Sequence, residues 1–292
     1  MLHTIKNAQL TVTVAEKGAE LQSILGADGT EYLWQGDPQY WSDRALNIFP
    51  YVARLTEGSY YLDGKLHNMD IHGIAPYRCF TAVENTGTRL VMELASDEQT
   101  LTSYPRQFVF RVVYTLEDST LHVTYEAENR DHRTMYFGLG GHPGFNVPLA
   151  PGKSFEDYRL RFGTACQPRR VNFSDDCFVT EGSTPVALED DTVLPLRHDL
   201  FDDDAIVLKD MARQVTLETD GDGRSVTVTF PGMGYLGLWH WPRTDAPYVC
   251  IEPWCSLPSE KGKIAVFEEQ KDLISLAPGG TYRNDWTIRI GR

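Results

Sequence analysis

Leu121-His122-Val123-Thr124-Tyr125-Glu126-Ala127 alternates apolar and polar side chains without a break. Successive side chains of an extended chain point to opposite faces, so this spacing sets Leu121, Val123, Tyr125 and Ala127 on one core-facing side. The same period of two recurs at Leu10–Val14, Phe108–Val112, Ser225–Phe230 and Trp286–Ile290, each rich in β-branched or aromatic residues. Hairpin-type turn signals lie between such runs at Asp28-Gly29, Asp63-Gly64 and Asp220-Gly221-Asp222-Gly223. No stretch holds the helical period for a dozen residues, and 24 glycines and 16 prolines interrupt every candidate helix. Many short strands joined by turns predict an all-β protein, a large antiparallel β-sandwich or barrel rather than alternating βαβ units. Without a repeat, linker or low-complexity tract, residues 1–292 are expected to form a single domain; a division at Ala150-Pro151-Gly152-Lys153 is the weaker alternative.

Composition narrows the function. At 292 residues the chain can bury a sizeable core without metal or disulfide staples. A net charge of -14 repels nucleic acid and anionic membranes, so neither is an expected partner. Met1 to Gln9 has no apolar leader core and no run reaches membrane-spanning length, which predicts a cytoplasmic protein. Five cysteines, Cys79, Cys166, Cys177, Cys250 and Cys255, form no close pair of zinc-site spacing. Reduced, mostly buried thiols are expected, with no metal and no cofactor.

Several polar residues stand where the chain is otherwise apolar or glycine-rich. Gly140-Gly141-His142-Pro143-Gly144-Phe145-Asn146 reads as a loop whose glycines admit a positive φ or a ligand close to the backbone, with Pro143 holding His142 extended. His142 is then either a structural cap or an acid or base near neutral pH. Arg54 interrupts the apolar run Asn47–Leu55 and either snorkels to solvent or reaches a ligand. His72 precedes Gly73 and is either structural or functional. Glu252 ends the apolar run Tyr248–Ile251, with Pro253 expected to stop the strand there. A carboxylate in that position is either ion-paired or a base raised towards neutrality by apolar walls. Trp239, Trp241 and Trp254 nearby suit a ligand with apolar faces and polar edges such as a sugar ring, although Trp239 on its own strand reads as core packing. In Phe201-Asp202-Asp203-Asp204-Ala205 the acidic triplet reads as a solvated loop with one carboxylate, Asp203 or Asp204, available to a ligand; it lacks the ligand spacing of a calcium hand.

Taken in order, Arg54, His72-Gly73, the Gly-Gly-His142-Pro-Gly-Phe-Asn segment, Phe-Asp-Asp-Asp204-Ala and Ile-Glu252-Pro-Trp resemble the aldose 1-epimerase (galactose mutarotase) family, and more narrowly its LacX-like branch. The resemblance spans nearly the whole chain. It implies a β-supersandwich and a cofactor-independent isomerase that interconverts the α and β anomers of an aldohexose. By the same resemblance His142 matches the catalytic acid, Glu252 the catalytic base, and Arg54, His72 and Asp204 the substrate-binding groups. The chain departs from the better-known mutarotases in having Pro253-Trp254 after the glutamate, where they have Thr-Gln. Two other functions stand beside this one. A hexose-6-phosphate epimerase would need converging basic groups from among Arg44, Arg54, Arg78, Arg169 and Arg170, and a non-catalytic carbohydrate-binding sandwich would not need the acid-base pair at all.

Overall fold

The computed structural model describes residues 1–291. The alternating stretch that opens the sequence lies in Thr120–Asn129, a strand paired with Phe108–Glu117 on one side and Thr281–Gly291 on the other. Its apolar face is buried and its polar face half-buried, as the period of two demands. These strands belong to a nine-stranded antiparallel sheet running Val193–Pro195, Tyr158–Phe162, Gln214–Thr219, Ser225–Thr229, Thr281–Gly291, Thr120–Asn129, Phe108–Glu117, Arg89–Ala95 and Thr81–Asn85. A seven-stranded sheet has the order Val179–Pro185, Arg169–Phe173, Ile206–Lys209, Tyr235–Trp239, Tyr248–Trp254, Gly140–Asn146 and Ala45–Ile48. Both sheets draw strands from either side of residue 150. The only α-helix among the described residues is Glu98–Ser103, closed at its start by an Asp97 capping box with Thr100.

The two sheets pack face to face. Phe110, Val123 and Tyr125 of the large sheet meet Phe145, Leu236, Leu238, Val249 and Ile251 of the smaller one in a single apolar core. Phe49 caps this core by stacking on Phe110, with ring centroids 4.3 Å apart. The turn signals act as expected: Asp63 and Gly64, both at positive φ, join Ser59–Leu62 to Lys65–Asn68.

Two sequence-based expectations change. Gly140–Asn146 is an interior strand of the seven-stranded sheet, next to its edge, not a loop, and Tyr248–Trp254 continues as strand beyond Glu252 to pair Pro253 with Leu236. Glycine and proline weaken a strand signal, but here both have room. Gly140 lies opposite Trp254 and Gly144 opposite Cys250, so the shared register puts His142 opposite Glu252. Hydrogen-bonded pairing lapses between those two points, where Pro143 and Pro253 have no N–H to give. The thiols differ as well: Cys250 alone is buried, Cys79 is exposed and the other three are half-buried, all unpaired.

Candidate active site

One transverse row of the seven-stranded sheet forms the floor of a cleft. Leu46 pairs with His142, His142 faces Glu252, Glu252 pairs with Gly237, and Gly237 pairs with Val207. Because side chains alternate, Ile251 points into the core while Glu252 points away from it. The sheet therefore holds imidazole and carboxyl side by side on its outer face. Gly237 keeps the row open, since a Cβ there would stand 3.1 Å from Glu252 Cβ.

The cleft above this floor has a volume of about 420 Å³. Arg54, His72, His142, Asp204 and Glu252 all line it, so the five candidates picked from the sequence converge on one space, and Asp203 joins them. Trp41, Trp239, Trp241 and Trp254 supply apolar walls. Trp41 lies over His142 with ring centroids 4.8 Å apart, and Trp239 meets the same imidazole edge-on at 5.7 Å. Trp239 is thus a wall of the cleft and not plain core packing. Trp41 carried no sequence signal, because it sits in an irregular loop 101 residues before its imidazole neighbour.

His142 Nε2 lies 3.2 Å from Glu252 Oε2. The two are in ion-pair range without the alignment of a hydrogen bond, and neither Glu252 Oε2 nor His142 Nδ1 has a hydrogen-bonding partner in the protein. Burial drives Glu252 well above the usual carboxylate range, the nearby Asp204 charge adds to this, and the Trp254 indole opposes it. Burial also holds His142 well below its ordinary value, with His72 adding to the effect. Such a pair holds one transferable proton at neutral pH, on carboxyl or imidazole.

The walls orient the remaining polar groups. His72 takes a positive φ, and its Nδ1 accepts a hydrogen bond from the Ala53 N–H at 3.3 Å. Burial and the Arg54 charge lower His72 to about 4, so it is neutral with its proton on Nε2. Gly73 must follow it: at φ +84° a Cβ would collide with the carbonyl of Phe49. Asp204, also at positive φ, is fixed through both oxygens, by the Ala205 N–H at 2.9 Å and by the Cys177 thiol at 2.9 Å. Arg54 makes no ion pair among the described residues, and the Trp254 indole N–H is buried without an aligned acceptor. No other basic side chain lines the cleft, whereas Asp43, Asp203, Asp204 and Glu252 are acidic. Arg44 and Arg169 are turned to the Gln22 and Ser183 carbonyls and Arg78 to Gln99.

The glycines of the His142 strand have a different role from the one expected. None of the three takes a positive φ. A Cβ at Gly140 would strike Trp254, one at Gly141 would strike Trp286, and one at Gly144 would crowd Trp34 and Trp41. They make space for tryptophans, Trp41 and Trp254 on the cleft, Trp34 behind it and Trp286 in the core.

A family model for aldose 1-epimerases matches residues 1–289. Protein LacX of Lactococcus lactis subsp. lactis is 30% identical over 98% of this chain and 98% of its own length. Among solved structures, a galactose mutarotase related enzyme from Lactobacillus acidophilus shares 30% identity with a TM-score of 0.93, covering 99% of this chain and 97% of its own. A galactose mutarotase-like protein from Lactobacillus casei gives 28% identity and a TM-score of 0.92, covering 99% and 100%. In fold and sequence alike, this chain belongs to the aldose 1-epimerase family.

Proposed function

We propose that the chain interconverts the α and β anomers of a free aldohexose, with Glu252 as base and His142 as acid. The observation that carries this is the approach of His142 Nε2 to the buried, unpartnered Glu252 Oε2 at 3.2 Å on the floor of a tryptophan-walled cleft. The anomeric hydroxyl O1 and the ring oxygen O5 are bonded to the same carbon, so the groups serving them must also be neighbours, each within about 3 Å of its oxygen. Glu252 removes the O1 proton as the C1–O5 bond breaks, and His142 delivers its proton to O5. The result is the open-chain aldehyde, neutral imidazole and protonated carboxyl. Rotation about C1–C2 turns the other face of the carbonyl to O5, and the reverse transfers close the ring and restore both groups.

Burial favours the neutral pair in the free cleft, which is the protonation state of the open-chain stage. Closed sugar requires the proton on His142, and hydroxyls donated to Glu252 stabilise that arrangement. The His72 Nε2–H, the Arg54 guanidinium and the Asp204 carboxylate bind ring oxygen and hydroxyls around the sugar. Tryptophan faces cover its C–H surfaces. One arginine among four acidic groups disfavours a phosphorylated sugar.

The test is polarimetry or NMR on freshly dissolved α-glucose, α-galactose and glucose 6-phosphate with and without protein. Faster equilibration of a neutral aldose, with little effect on the phosphate, is the expected result. No acceleration of any of these sugars contradicts the proposal.

A further inference from the structure

Cys250 stands two residues before Glu252 on Tyr248–Trp254, so the two side chains share a face of the sheet. Its strand partner is Gly144, and the thiol packs in the apolar cluster of Trp34, Trp41, Leu46 and Tyr248. An imidazole nitrogen of His142, Cys250 Sγ and a carboxyl oxygen of Glu252 all lie within 4.8 Å of one another, and all three residues are buried. We propose that His142, Cys250 and Glu252 form a three-ligand site for a thiophilic divalent cation, Zn²⁺ foremost, which occupies the acid-base pair and excludes the sugar.

Tetrahedral zinc bonds nitrogen and oxygen at about 2.0–2.2 Å and sulfur at about 2.3 Å, so its ligand atoms stand about 3.3–3.6 Å apart. The carboxyl and imidazole stand 3.2 Å apart, just inside that spacing, and the thiol lies within 4.8 Å of both, so it must close by up to about 1 Å to complete the set. Glu252 Oε2, the oxygen that faces His142 Nε2, has no hydrogen bond, so a cation can take it without displacing one. The fourth position opens on the cleft, where water completes the coordination. Binding releases two protons to solvent, one from the Cys250 thiol and one from the Glu252 carboxyl, as Zn²⁺ bonds sulfur and oxygen. Mg²⁺ and Ca²⁺ prefer six or more oxygen ligands and have no affinity for this set. Occupancy of the site follows from its ligands alone; inhibition rests on the roles proposed above for His142 and Glu252.

Co²⁺ added to the reduced, metal-free protein reads occupancy without reference to activity. One equivalent is expected to give a near-ultraviolet thiolate-to-cobalt band with intense visible bands of tetrahedral geometry, both abolished by Zn²⁺. Micromolar Zn²⁺ should slow anomer exchange while millimolar Mg²⁺ does not. Cys250→Ser should lose the thiolate band, need at least about tenfold more Zn²⁺ for the same inhibition, and keep the metal-free rate. Cys250→Ala serves equally if the serine variant folds poorly, and Cys79→Ser, at an exposed thiol, should keep the band. No thiolate band in the wild type, or the same band in both Cys250 variants, overturns the site even if the protein proves inactive on every sugar. A cobalt band that depends on Cys250, with exchange insensitive to Zn²⁺, overturns the inhibition.

Discussion

Two buried polar clusters stand back to back on neighbouring strands of the seven-stranded sheet, and only one of them is satisfied. On the inner face, Asn47 Nδ2 lies 3.0 Å from the Gly18 carbonyl, 2.9 Å from that of Ala19 and 3.0 Å from the Tyr114 hydroxyl, while its Oδ1 accepts from Tyr125 at 2.9 Å. Tyr114 donates in turn to the Ala19 carbonyl at 2.8 Å. On the outer face, one residue along the neighbouring strand, His142 and Glu252 are also buried but keep atoms without partners. Burying an unpaired polar group costs about 1–3 kcal/mol, so the inner cluster supports the fold and the outer one weakens it. The first network is complete within the protein, whereas the second leaves polar atoms without partners, which is the arrangement the proposed sugar hydroxyls would satisfy.

The contrast is sharpest in substitutions. Glu252→Gln and His142→Asn should each lower kcat for anomer exchange by at least about 10²-fold, while the midpoint of urea unfolding stays at or above that of the wild type. A marked loss of stability in either variant would break the contrast. Asn47→Leu should do the opposite. Stranding the Gly18 carbonyl, while Tyr125 falls back on the Gly140 carbonyl and Ala19 keeps Tyr114, should cost about 1–3 kcal/mol in urea unfolding, with kcat per folded molecule nearly unchanged.

Protonation supplies a third comparison. Burial lowers both His72 and His240 to about 4. Between about pH 6.5 and 4 the unfolded chain binds protons that these native histidines refuse. Their stabilising contribution is therefore whole above about pH 6.5 and disappears as pH falls, by an order of 3 kcal/mol per histidine at most. Urea titrations at pH 7.5 and 5 should show this acid-side loss, and His240→Asn should flatten it; an unchanged slope would argue against a buried neutral His240.

Smaller effects should follow at the walls. Gly73→Ala, forced towards a positive φ against the Phe49 carbonyl, should cost about 1–3 kcal/mol and raise KM by displacing His72. Trp241 is 45% exposed at the rim, and Trp241→Ala should raise KM up to about tenfold with little change in kcat. A fall in kcat at constant KM would instead place Trp241 in the chemistry.

Much of this was legible in the sequence for physical reasons. Strand alternation at Leu121–Ala127 survives because one face of that strand is core and the other half-wet. Arg54, His72, His142 and Glu252 stood out because each lies in or at the end of an apolar or glycine-rich run, and Asp204 because it ends an acidic triplet before an apolar strand. What the sequence concealed depends on residues far apart along the chain. Gly140, Gly141 and Gly144 resemble a loop until Trp254, Trp286, Trp34 and Trp41 are seen filling the space beside them. Asn47 looked unremarkable inside its apolar run, since its partners Tyr114 and Tyr125 come from the other sheet. The facing of His142 and Glu252 is a matter of register across 110 residues, and no local pattern encodes it.

The central claim, that His142 and Glu252 work as one acid-base unit, is tested most directly by NMR anomer-exchange rates for wild type, Glu252→Gln, His142→Asn and the double variant. The expected result is rapid exchange in the wild type, a loss of at least about 10²-fold in each single variant, and no further large loss in the double. Wild-type exchange in either single variant, or losses that multiply in the double, would contradict it.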